Sequence, residues 1–95
     1  MTKYRLSNAA KDDLIRIHHY GVNRFGVRQA DKYFDSFFKY FEIIAQRPYS
    51  FESVDYIKQG YRRCVSGVDS IYYRIVDETV EIMAIVGRQD LMKIL

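Results

Sequence analysis

Apolar and polar positions alternate along this chain in two different rhythms, one for each half. In the first half Ala10, Leu14, Ile17, Gly21 and Phe25 recur at helical spacing, and Ser7 or Asn8 can cap the free amides ahead of them. Asp12 and Asp13 lie near that end, where the helix dipole favours negative charge. The pattern predicts a helix over 8–24, ended by Gly26. A second, wider stripe follows at Ala30, Tyr33, Phe34, Phe37, Phe38, Phe41, Ile44 and Ala45, with Pro48 just beyond. The short Phe25-Gly26-Val27 link makes the two helices an antiparallel hairpin.

The second half has the period of two that marks strands. Tyr61 to Val65, Ser70 to Val76 and Thr79 to Val86 are rich in β-branched and aromatic residues, and Ser66-Gly67 and Asp77-Glu78 punctuate them. These predict an antiparallel meander. Within its middle strand Ile71, Tyr73 and Ile75 share one face and Tyr72 and Arg74 the other, as in a sheet covered on one side by the hairpin. Tyr4-Arg5-Leu6 reads as an N-terminal strand, and Tyr49 to Gly60 as a packed loop. The expected fold is α+β in the order β-α-α-β-β-β, one domain over residues 1–95.

Composition adds bounds. A chain of 95 residues, 48% apolar and 28% charged, is ordinarily globular, and nine Tyr and six Phe with no Trp must supply much of its core. Cys64 has no second cysteine to pair with, so a reducing compartment is expected. No stretch has the length of a signal or membrane segment, which gives the expectation of a cytoplasmic protein without a membrane partner. A net charge of +3 favours acidic partners but falls short of a dedicated nucleic-acid binder.

Catalytic devices are scarce. The five glycines are scattered and form no phosphate cradle, and one Cys with two adjacent His does not make a metal site, so no cofactor or metal is expected. His18 and His19 point about 100° apart on a helix, which suits structural roles better than a shared proton or ion. Arg62, Arg63 and Arg74 lie on strands expected to be neighbours, Arg88 follows the last strand, and Lys58 and Lys93 flank the region. They form either a solvated sheet face or, with Tyr61 and Tyr72 between them, a concave basic surface for RNA or an acidic protein.

The element order, the opening Leu6-Ser7-Asn8-Ala9-Ala10-Lys11-Asp12-Asp13-Leu14, the junction Arg24-Phe25-Gly26 with Gln29-Ala30-Asp31-Lys32-Tyr33, and then Arg47-Pro48 and Gly60-Tyr61-Arg62-Arg63 resemble the ParE/RelE toxin superfamily, in particular its ParE branch. The resemblance spans nearly the whole chain. It implies a toxin that poisons DNA gyrase and is neutralised by a ParD-like antitoxin. RelE-like relatives cleave ribosome-bound mRNA with the help of a Tyr or His near the C-terminus, whereas the tail from Gly87 to Leu95 has neither. In-line RNA cleavage needs a base and an acid, so a ribonuclease, like a non-toxic binding module, is an alternative rather than the leading reading. Asp69 stands where many ParE relatives carry His.

Two sets of binding residues follow, with no catalytic residue among them. Arg62, Arg63, Arg74 and Arg88, with Leu91, Met92 and Ile94 of the tail, are the expected target-binding residues; the same apolar tail can instead close the core. Tyr20, Tyr40 and Ile43 fall off the core stripes and are the expected rim of a groove for a folding antitoxin arm.

Overall fold

Polar punctuation sets the element boundaries. In this computed structural model, which describes residues 3–87, a short strand β1 (Tyr4–Leu6) runs into Ser7, whose hydroxyl accepts the Ala10 N–H at 3.0 Å and caps helix α1 (Asn8–Phe25). Gly26 alone separates α1 from α2 (Val27–Gln46). Its φ of 92° and ψ of 164° lie in a region that only glycine occupies without strain. After Arg47 a 3-10 turn (Pro48–Ser50) leads to a two-residue strand β2 (Glu52–Ser53). Strands β3 (Arg62–Ser66), β4 (Asp69–Val76) and β5 (Thr79–Gly87) complete the described chain.

The five strands form one mixed sheet in the order β1-β5-β4-β3-β2. The predicted meander is there: Cys64 pairs with Ile71 and Ile71 with Ile85 across three antiparallel strands. β1 adds to β5 in parallel, Leu6 opposite Ile82. Asp77 and Glu78 both take positive φ, 50° and 62°, as a tight two-residue hairpin requires.

One face of the sheet is covered by the helices. Ala10, Leu14 and Ile17 of α1 and Phe37, Phe41 and Ile44 of α2 pack on Cys64, Ile71, Tyr73, Val80, Ile82 and Ile85. The wide stripe of α2 is core as expected. Phe25, expected on the α1 stripe, is instead 65% exposed, because α1 continues beyond the sheet to the free end of the hairpin. Near that end Gly21 lets the helices approach closely: a Cβ there would lie 3.2 Å from the Cβ of Ala30.

The opposite face is not open, which corrects the one-sided expectation. The loop from Val54 to Tyr61 folds over it, closed by a Val54 N–H to Tyr61 carbonyl bond of 2.8 Å and by the Asp55 carboxylate accepting the Gly60 N–H at 2.8 Å. Val54 and Tyr61 bury Tyr72, Ala84 and Val86, so Tyr72 is only 1% exposed. The sheet edge beyond β1 is also occupied. Ser7 donates to the Met83 carbonyl (3.0 Å), Asp13 accepts the Ile85 N–H (2.9 Å) and Arg16 donates to the Ile85 carbonyl (3.1 Å). Asp13, expected to serve the helix dipole, thus satisfies a strand edge that would otherwise recruit another chain.

Candidate functional site

Arg62 and Arg63 are chain neighbours on β3, so their side chains leave opposite faces of the sheet. Arg62 pairs across to Tyr73 on the helix-covered face. Its guanidinium donates to the Phe51 carbonyl at 2.7 Å and lies 5.1 Å from the centre of the exposed Tyr49 ring. Tyr49, Arg62, Ser53 and Ile75 line a shallow groove there of about 300 Å³. Arg63 projects from the other face, where it donates to Glu52 at 2.8 Å and to the Tyr56 hydroxyl at 3.4 Å.

Arg74 shares the Arg63 face. It donates to Glu81 at 2.7 Å, and Arg5 of β1 reaches the other oxygen of the same carboxylate at 2.8 Å. The structure thus brings Arg63 and Arg74 onto one face and turns Arg62 away from them. Arg88, Leu91, Met92 and Ile94 lie outside the described residues. Tyr61 and Tyr72, expected between the arginines on the surface, are buried in the second apolar cluster because the 54–61 loop covers them. Sequence reasoning missed Arg5, Glu52, Glu81, Tyr49 and Tyr56. The period-two alternation of Tyr4-Arg5-Leu6 was the only signal for Arg5, since the β1–β5 pairing joins residues 76 apart.

The electrostatics of this surface suit binding. Arg74 and then Arg5 hold the Glu81 carboxyl below its ordinary range by hydrogen bonding. Tyr72 and Glu52 hold the Arg63 guanidinium firmly in its charged form. The tyrosines with hydroxyls near the sheet are poor bases. The Tyr33 hydroxyl shares its one proton between the Ser66 carbonyl and the Asp69 carboxylate, both at 2.9 Å, and burial and the Asp69 bond push it well above the usual phenol range. Tyr73, buried and donating to the Pro48 carbonyl, is raised likewise by burial. Burial pushes the Cys64 thiol up to about 11, which leaves little thiolate at neutral pH. His18 is tied across the hairpin to Asp31 at 2.7 Å with its ring edge-on to Phe34. Among the described residues no three His, Cys, Asp or Glu side chains come together as a metal site.

The residues expected at an antitoxin groove do not form one patch. Tyr20 is exposed six residues before Gly26, whereas Tyr40 is half-buried against the core and Ile43 is exposed near the other end of α2. At 1.5 Å per residue Tyr20 and Tyr40 are offset by roughly 12 Å along the hairpin.

Comparison with known proteins gives this arrangement its context. Residues 4–92 match the family model described as the ParE toxin of the type II toxin-antitoxin system parDE. The chain belongs to the ParE toxin family. It is 40% identical to Toxin ParE1 of Caulobacter vibrioides over 75 residues, 79% of this chain and 78% of that one. It is 29% identical to Toxin ParE1 of Mycobacterium tuberculosis over 89 residues, 93% of this chain and 91% of that one. In fold it is similar to a solved structure described as the chromosomal ParDE system from P. aeruginosa, with a TM-score of 0.81, 18% identity and coverage of 92% of this chain and 96% of that one. In this ParE-family chain the outer sheet face presents Arg63 paired with Glu52 and Arg74 paired with Glu81. No helix among the described residues is long and apolar enough to cross a membrane.

Proposed function

We propose that this ParE-family chain arrests growth by binding DNA gyrase without catalysis, and that a co-expressed ParD-like antitoxin neutralises it. The observation that carries the reading is the state of the sheet surface. On the outer face Arg63 and Arg74 are oriented by Glu52 and Glu81, and on the helix-covered side, where Arg62 lies, the Tyr33 and Tyr73 hydroxyls are held protonated. Such groups can clamp an acidic partner but cannot readily exchange a proton. Arg62, Arg63, Arg74 and Arg88, with the apolar tail residues Leu91, Met92 and Ile94, are the target-binding set. Tyr40 and Ile43, with Tyr20 further along the hairpin, receive the antitoxin arm.

Two assays run side by side test this. Purified toxin should inhibit gyrase supercoiling and leave mRNA on purified ribosomes intact, and the antitoxin should reverse the inhibition. Cleaved message with unaffected supercoiling would replace the proposal with the ribonuclease reading. Replacing Tyr40 and Ile43 by Asp should weaken antitoxin binding with the fold intact, and unchanged affinity would place the antitoxin elsewhere.

A further inference from the structure

Charge is unbalanced at only one end of the helical hairpin. Residues 14–30 hold Arg16, Arg24, Arg28 and both histidines, and no carboxylate. Setting these three arginines apart from the chain's 15 Lys and Arg leaves 12, equal to its 12 Asp and Glu, so this stretch accounts for the whole net charge of +3. Arg16 is engaged at the sheet edge by Asp13 and the Ile85 carbonyl. Arg24 and Arg28 are exposed, and among the described residues neither forms an ion pair.

Apolar side chains sit between them. Phe25 is 65% and Val27 60% exposed on either side of Gly26. Burying such side chains is favourable, and leaving both exposed together on one protrusion marks a contact surface. The protrusion is held in shape by the close approach of Gly21 to Ala30, by the glycine-only conformation of Gly26 and by the His18–Asp31 tie across the helices. A surface fixed in advance loses little freedom on docking.

The geometry points to the free end of the hairpin as a second target-engaging surface, an apolar knob between two arginines that fits an apolar pocket with an acidic rim on a protein partner. This rests on the toxin reading above. A protein fits better than a nucleic acid because, among the described residues, the unpaired Lys and Arg near this end are few, Arg24 and Arg28 with Lys32 one turn beyond, whereas duplex binders neutralise many phosphates, on the order of 6 to 10. Aromatic and arginine anchors around a small apolar centre are what dominate protein interfaces.

The test uses the full chain with three double substitutions: Arg24→Glu with Arg28→Glu, Phe25→Ser with Val27→Ser, and, as a control of equal charge change at the hairpin's other end, Lys11→Glu with Lys39→Glu. Each is checked for its melting temperature, growth arrest on induced expression, rescue by the antitoxin, gyrase inhibition, and binding of labelled single- and double-stranded DNA. Both tip variants should melt like the wild type and need at least about tenfold more protein for the same growth arrest, while the control stays toxic. Tip variants as toxic as the wild type overturn the inference. So does toxicity that persists while antitoxin rescue is lost, or DNA binding by the wild type that the tip variants lose, which assigns the surface to the antitoxin or to nucleic acid. A wild type that arrests growth and leaves gyrase active removes the gyrase reading alone, since growth arrest still judges the tip. A wild type that arrests nothing overturns both.

Discussion

Arg62 and Arg63 sit side by side in the chain and have different tasks, because a strand sends consecutive side chains to opposite faces. Arg62 ties the Phe51 carbonyl and the Tyr49 ring to the open end of the core, while Arg63 stands on the outer face with Glu52. Replacing Arg62 should therefore free the Phe51 carbonyl and the Tyr49 ring as well as weaken any bound partner, and replacing Arg63 should release only the exposed Glu52 and Tyr56 side chains along with the partner. The Arg5–Glu81–Arg74 group gives a pH-dependent prediction. Glu81 is depressed in the folded chain, so its stabilising effect is present above the ordinary carboxylate range and is lost as pH falls through its lowered value. The difference in melting temperature between wild type and Glu81→Gln should be small at pH 7, as for any solvent-screened pair, and should close as pH falls from the ordinary carboxylate range through the lowered Glu81 value. A gap that widens with acidification would contradict it. In the core, Phe37→Ala or Phe41→Ala should cost about 3 to 5 kcal/mol, close to the full stability of a domain this size, so denaturant unfolding must accompany any loss of toxicity in these variants.

Among the elements, the hairpin depends most on a single residue. Gly26 holds α1 and α2 antiparallel with one linking residue in a conformation closed to L side chains, so Gly26→Ala should destabilise the protein by about 1 to 3 kcal/mol in chemical denaturation. Space is not the reason, since nothing lies within 4 Å of where its Cβ would be. This turn was legible in the sequence because two long helical stripes meet at one glycine. So was the meander, whose strands alternate cleanly between turn residues. The cover over the second sheet face was not legible. Tyr61 and Tyr72 look like surface aromatics among arginines until the 54–61 loop closes on itself, and that closure rests on pairings such as Val54 with Tyr61 that no local periodicity announces. Asp13 reads as a helix-start acid for the same reason: the strand edge it satisfies is 72 residues away in the chain. Of the candidate site, the arginines were legible by type and their partners Glu52 and Glu81 were not, because each pairing crosses strands whose register is set by the whole sheet.

At the scale of the whole molecule, charge and apolar surface are distributed unevenly over a rigid scaffold. The sheet arginines are balanced by carboxylates, the hairpin end carries the excess, and both lie on surfaces built from well-packed elements. This layout supports the proposed action by contact. The most direct test is a titration of purified wild type and Arg63→Ala into a gyrase supercoiling reaction at low and high salt. Wild type should inhibit in proportion to concentration and less at high salt, and Arg63→Ala should shift the curve to higher concentration and still reach the same final inhibition. Supercoiling untouched at saturating toxin, with ribosome-bound mRNA cut by the wild type and not by Arg62→Ala at any concentration, would contradict the account.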